Sequence, residues 1–268
     1  MEQTLIFDPE GTTATPCRLS GGSPGPPHAA FILIVILAIA AHAQSTASAT
    51  FRSDNKPVTM ERFDPKAAGL HTGVMLVHGG GGPDGDWRKS GIIEALTSAG
   101  YAVFIPHYFD GGGQWVPKSD NPEQFIAYIR TLNNASRYIV QLSGVDPRSI
   151  GVVGVSLGGY LVLGLAEEVR SHPPVLPSPE IKAVVEMYGG MPDFAVERMT
   201  TMPPVLILHG EDDAIVPVAR AHDLEKLLEK KNLPYESKIY PHQGHSLTGE
   251  ALADANQRAV AFLTAHLH

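Results

Sequence analysis

From Val58 to the C-terminus, short apolar runs alternate with longer stretches whose apolar residues recur every three or four positions. The runs read as strands: Val58–Phe63, Gly73–Val77, Tyr101–Ile105, Ile150–Val155, Ile181–Met187, Val205–Leu208 and Tyr235–Tyr240. The longer stretches read as helices: Ile92–Ala99, Asn121 to about Leu142, Leu157–Val169, Pro217–Lys231 and Glu250–Leu267. Asn121-Pro122 supplies a helix N-cap followed by a proline in the first turn. In Pro217–Lys231, residues Leu224, Leu227 and Leu228 share one face. Val58–Phe63 alternates weakly, as an edge strand does. The other strands are mostly apolar without alternation, which argues for burial on both sides. The expected class is α/β: a three-layer sandwich with a mostly parallel central sheet and helices on both faces.

The chain before Val58 is different. Residues 20–30, "SGGSPGPPHAA", are rich in Gly and Pro and read as disordered. Phe31–Ala41 is an unbroken apolar run of 11 residues, followed by Ala41-His42-Ala43 and a polar stretch. A short apolar core followed by a small-x-small site is the pattern of a secretory signal, with cleavage after Ala43. The run is short for a permanent span, which wants roughly 20 apolar residues. The expected organisation is a disordered leader plus signal peptide over 1–43, a linker over 44–57 and one α/β domain over 58–268. The protein is expected to be exported, periplasmic or secreted, touching a membrane transiently through its leader, or anchored there if the leader is not cleaved. Only Arg18 is basic before the apolar run, so translation starting downstream of Met1 is a further expectation.

Composition narrows the chemistry. The 268 residues carry a net charge of −8 with no Lys/Arg run, which excludes nucleic-acid binding through a basic surface. The single cysteine, Cys17, lies in the leader and forms no internal disulfide. Nothing in the sequence signals an oligomeric state.

In a parallel sheet, ligands bind beyond the carboxyl ends of the strands. The residues found there are His78 with four glycines to Gly82, then Pro106-His107-Tyr108-Phe109-Asp110, Ser156, His209-Gly-Glu-Asp-Asp213, and Pro241-His242-Gln-Gly-His245. Gly154-x-Ser156-x-Gly158 between a strand and a helix is a nucleophile elbow, a turn too tight for Cβ atoms at either glycine. A serine needs a base, and the base needs an orienting carboxylate, in the chain order Ser, acid, His. Asp213 is the preferred acid because it precedes "AIVP" and the helix expected at Pro217; Glu211 and Asp212 compete. His245 is the preferred base; His242 competes. The amide of Leu157 and that of Gly80, or else Gly81, would hold an oxyanion. The glycine run lacks the Gly-Lys-Ser/Thr ending of a phosphate loop, and His242-x-x-His245 lacks the His-Glu-x-x-His metal pattern. No metal and no organic cofactor is implied. His107, Tyr108, Trp115 and Tyr188 are candidate pocket residues, with packing an equal alternative for each.

"VMLVHGGGG", "GYAVFIPHYFD", "GVVGVSLGGY", "VLILHGEDDAIVP" and "YPHQGHSL", in this order, resemble the α/β-hydrolase fold and, within it, the dienelactone hydrolase family. The resemblance runs from about Val58 to the end. About 17 residues separate Met187 from Val205, too few for a large cap domain. The family's namesakes carry a cysteine in the elbow, where this chain has Ser156. Their glutamate after the oxyanion-loop strand is replaced by the His78-Gly region. Their substrate-holding arginine after the next strand is missing from "PHYFDGGGQW". The resemblance therefore implies a serine esterase acting on a small ester or lactone. A peptidase or acyltransferase on the same scaffold, or an inactive binding protein, are the alternatives.

Overall fold

Strands buried on both faces must be apolar at every position, and here they form the middle of one sheet. The computed structural model describes residues 46–115, 121–171 and 179–267. The strands are β1 (Thr46–Ser53), β2 (Lys56–Phe63), β3 (His71–Val77), β4 (Ala102–Pro106), β5 (Val145–Val155), β6 (Glu180–Met187), β7 (Val205–Gly210) and β8 (Tyr235–Tyr240). The helices are α1 (Ile92–Ser98), α2 (Tyr108–Gly112), α3 (Pro122–Ile139), α4 (Leu157–Ser171), α5 (Asp193–Val196), α6 (Ala219–Lys230) and α7 (Gly249–Leu267). Strand order is β1-β2-β4-β3-β5-β6-β7-β8. β1 pairs antiparallel with β2, and β2 with β4; every later neighbour pair is parallel.

Successive residues of the central strands enter opposite cores. Met75 and Val77 of β3 and Ile150 and Val152 of β5 pack with residues of α3, α4 and α6. Val74 and Leu76 of β3 and Val153 and Val155 of β5 pack with residues of α1 and α7. Val74, Met75, Leu76 and Val77 are fully buried, each contributing roughly 1.5–3 kcal/mol by removal from water. The helix expected at Asn121 begins as read: the Asn121 side chain accepts from the Gln124 amide at 3.1 Å, with Pro122 in the first turn.

The segment 44–57, expected as a linker, instead carries β1 and the start of β2. Asp54 and Asn55 join them with φ of 46° and 62°. Two successive positive φ values, at the residue types that tolerate them, fit a two-residue hairpin of the primed kind. β2, expected at the edge, therefore lies one strand in, and Val58 and Met60 are fully buried. The leader, its apolar run and the cleavage site after Ala43 lie outside the described residues. Among the described residues, no helix is long and apolar enough to cross a membrane. Between β6 and β7 stands only the one-turn α5, so no large cap covers the sheet there.

After β3 the chain moves to β4 on one side; β5 then lies on the other. The loops leaving β3 and β5 thus flank the crevice at which ligands of such sheets bind.

Candidate active site

Ser156 stands between β5 and α4 with φ of 55°. A left-handed backbone at a residue with a Cβ costs roughly 1–3 kcal/mol. Bonds on both sides hold it: the Ser156 N–H donates to the Met187 carbonyl at 2.9 Å, and its carbonyl accepts from the Gly159 N–H at 2.8 Å. A Cβ at Gly154 would stand 2.1 Å from the Gly158 oxygen, and one at Gly158 would stand 2.1 Å from the Val77 oxygen. Both obstacles are backbone atoms, so neither can swing away. The glycines permit the approach that lifts Ser156 above the sheet.

The Ser156 Oγ lies 2.8 Å from His245 Nε2. His245 Nδ1 lies 2.8 Å from Asp213 Oδ2. The carboxylate only accepts, so Nδ1 carries the proton and Nε2 offers its lone pair to the serine hydroxyl. Asp213 Oδ1 accepts from the amides of Ile215 and Val216, each at 2.8 Å, and its side chain is fully buried. Its competitors face solvent. Glu211 and Asp212 are exposed, and the His242 side chain, 92% exposed, has Nδ1 3.9 Å from Asp212 Oδ2. His209, which sequence reasoning passed over, lies buried beside the acid. Its Nε2 donates to the Val216 carbonyl at 2.8 Å and lies 3.4 Å from Asp213 Oδ2. Burial lowers the His209 pKa below the ordinary imidazole value, which favours the neutral ring.

Leu157 is the first residue of α4, so its N–H lies outside the intrahelical ladder at the positive end of the helix. Across from it runs the glycine loop after β3. A Cβ at Gly79 would be 3.2 Å from Ser156 Cβ and 3.8 Å from its Oγ. Gly80, the expected second donor, follows directly, with the Trp115 indole 2.8 Å from where its Cβ would be. The loop is pinned from behind. Its Gly79 carbonyl accepts from Gly82 N–H at 3.1 Å, Trp87 Nε1 donates to the Gly82 carbonyl at 3.1 Å, and Arg88 Nε donates to the Pro83 carbonyl at 2.5 Å. Arg88 also pairs with Glu61, which accepts from His107 Nε2 at 2.7 Å. Burial pushes the Glu61 carboxyl up, but the bonds from His107 and Arg88 outweigh it and leave it below the usual carboxylate range. Burial pushes His78 down to about 4, so it is neutral at pH 7. It stacks on Tyr108 with ring centroids 4.1 Å apart.

The four candidate pocket residues divide. Trp115 lines a cleft of about 420 Å³ with Phe125, Tyr160, Pro192 and Phe194. Tyr160 belongs to the first turn of α4, and its N–H points to the Ser156 carbonyl at 3.4 Å. Tyr188 backs His245, its ring edge-to-face with the imidazole at 5.2 Å. Tyr108 is not a pocket residue: it is fully buried, and its hydroxyl donates to the His78 carbonyl at 2.8 Å. The one-turn α2 rotates it inward. His107 is likewise committed to Glu61. Sequence reasoning also missed Glu186, fully buried near the end of β6. Its signal was available as the one acid in the run "AVVEMYG". Among the described residues, no group of three or more His, Cys, Asp or Glu is placed to hold a metal ion.

The profile of the dienelactone hydrolase family matches residues 62–265. The carboxymethylenebutenolidase homolog of Xenopus tropicalis is 27% identical over 182 residues, covering 64% of this chain and 69% of its own. The crystal structure of dienelactone hydrolase from Anabaena variabilis superposes with a TM-score of 0.64 at 20% identity, covering 85% of this chain and all of that one. Est1E from Butyrivibrio proteoclasticus superposes with a TM-score of 0.62 at 15% identity, covering 81% and 99%. At such identities the two structures speak for the α/β-hydrolase fold alone.

Proposed function

Because this chain belongs to the dienelactone hydrolase family and is a hydrolase of the α/β type, we propose that it cleaves an ester, lactone or similar acyl bond of a small substrate through an acyl-enzyme on Ser156. The observation that carries this reading is the continuous pair of 2.8 Å bonds from Ser156 Oγ through His245 to Asp213. In acylation, Ser156 Oγ bonds to the carbonyl carbon while its proton passes to His245 Nε2. The carbonyl oxygen becomes an oxyanion facing the amides of Leu157 and the glycine loop. As the tetrahedral adduct collapses, the bond to the leaving alcohol breaks, and that alcohol takes the proton from Nε2. Water then gives a proton to Nε2 as its oxygen bonds to the acyl carbon; the bond from that carbon to Ser156 Oγ breaks, Oγ takes the proton back from Nε2, and the acid leaves. Asp213, held by two backbone amides, orients the imidazole and stabilises the imidazolium.

Elements of the same reading concern substrate and location. The name of the Xenopus relative refers to a carboxylated lactone, and lactones and simple esters share the acyl chemistry just described. Export through the leader, with cleavage after Ala43, is supported by the apolar run over 31–41; N-terminal sequencing of the native protein tests it.

The decisive experiment labels the chain with a fluorophosphonate probe and assays p-nitrophenyl esters, butenolides and aminoacyl amides. Labelling and ester or lactone hydrolysis are expected. Ser156→Ala should abolish labelling and lower kcat by about 10⁴-fold or more. Full esterase activity in Ser156→Ala overturns the proposal. Turnover of amides in preference to esters moves the chain to the peptidase alternative.

A further inference from the structure

Glu186 is the most improbable side chain in the interior. It is a carboxyl in a central strand, fully buried, between Gly154 of β5 and Ile207 of β7 in register. Carboxyl groups are rarely buried without a partner, because leaving water is costly for them. One oxygen, Oε1, accepts from the Gly189 amide; the other, Oε2, is buried without a hydrogen-bond partner. Among the described residues no cation offsets it: the ionisable groups there that interact with it are Tyr160 of α4 and Tyr188 of the turn after β6. Asp213 shares that neighbourhood, and Arg220, whose Cβ lies against Gly190, is engaged with Asp193 at 2.8 Å.

The carboxyl sits directly beneath the elbow. A Cβ at Gly159, in the first turn of α4, would be 3.1 Å from Glu186 Oε1. A Cβ at Gly189 would be 2.8 Å from the Ser156 oxygen, 2.9 Å from Glu186 Oε1 and 3.0 Å from Gly159 Cα. The turn 187–189 is therefore pressed between Glu186 and the nucleophile's own backbone. Each of its residues does something for the site. The Met187 carbonyl takes the Ser156 N–H at 2.9 Å. Tyr188, held at φ of 46°, gives its N–H to Leu208 at 2.8 Å and lays its ring on His245. Gly189 gives its N–H to Glu186. A side chain thus closes a turn that no backbone acceptor closes.

Building on the serine-hydrolase reading, we propose that Glu186 is a positioning residue for the Ser156–His245 pair: by holding the Gly189 amide it folds the turn 187–189 against the underside of the elbow, fixing both the serine backbone and the aromatic wall of the base. Burial raises the Glu186 carboxyl to about 8, and the Gly189 bond only partly opposes this. It is therefore neutral at pH 7, and its ionisation in more alkaline solution puts a negative charge under the site where the oxyanion must form. Burial pushes Tyr188 up to about 12 and raises Tyr160 as well, so both stay neutral as Glu186 ionises.

The test compares Glu186→Gln and Glu186→Leu with the wild type in full-length protein. Leucine removes the acceptor; glutamine keeps it. Glu186→Leu should lower kcat on the order of 10- to 100-fold with KM nearly unchanged, and fluorophosphonate labelling should slow in proportion. Glu186→Gln should restore kcat at pH 7 and remove the alkaline fall that the wild type shows above about pH 8. Wild-type kcat in Glu186→Leu, or an alkaline fall kept by Glu186→Gln, overturns the proposal. If Glu186→Leu does not fold, the glutamine variant decides alone, through its pH profile and its thermal midpoint. The folded-state value lies above the ordinary 4.5, so the stability that the buried acid gives is present below 4.5 and is lost as pH rises towards about 8. Wild type should thus lose Tm relative to Glu186→Gln across that window; a constant difference counts against the proposal. An unlabelled wild type would instead reject the serine-hydrolase reading, while the midpoint series would still report on Glu186.

Discussion

The elbow after β5 and the acid loop after β7 both present one side chain to His245, but they hold it by opposite means. At the elbow the backbone does the positioning: Ser156 takes φ of 55°, and Gly154 and Gly158 allow contacts that any Cβ would block. In the acid loop no strained residue is needed. Asp213 is placed by what its oxygens accept, two amides on one and His245 on the other. Ser156 is located by steric exclusion, Asp213 by hydrogen bonding. One kind of constraint fails when atoms are added, the other when donors are removed.

The sharpest way to break the contrast is Gly158→Ala. Its methyl would meet the Val77 oxygen at 2.1 Å, and we expect a loss of more than about 4 kcal/mol or no folded protein, measured by urea denaturation. A mild effect would mean that the elbow relaxes and is not sterically fixed. Asp213→Asn should leave the fold nearly intact, because an amide oxygen still accepts from Ile215 and Val216. Its kcat should fall by about 10³–10⁴-fold through the wrong imidazole tautomer. Ile215→Pro deletes one N–H donor to Asp213 Oδ1, and kcat should fall roughly 10-fold, in line with one hydrogen bond to a charged group. Asp212→Asn and His242→Ala remove solvent-facing neighbours and should change kcat by less than about twofold. A large effect of either would return the acid or the base to its competitor.

The contrast also explains what could be read from the sequence. Gly-x-Ser-x-Gly is visible because steric exclusion acts on residue identity, and glycine is the one residue that fits. The central strands are visible for a similar reason, since burial on two faces leaves no polar positions. Asp213 could be preferred over Glu211 and Asp212 but not separated from them, because three adjacent acids differ only in which one turns inward. β1 was missed because "TASATFRS" is small and polar, as suits a strand at the rim of the sheet, with Phe51 its one buried apolar side chain. For Tyr108 the sequence leaves pocket and packing equally open, because it follows a strand end, where pocket residues gather; the short α2 decides for packing by carrying it into the core. Glu186 stood in plain view, but nothing in its neighbours along the chain says that it closes a turn beneath Ser156.

Among the described residues, β8 borders the sheet and is hydrogen-bonded along one flank only, to β7. The loop it feeds carries His245, while Ser156 rides on β5, which has a strand on either side. Border strands open locally at lower free energy than interior ones. On warming, the imidazole should therefore part company with the hydroxyl while the inner strands are still protected from hydrogen exchange, so that heat silences the chain before it unravels it.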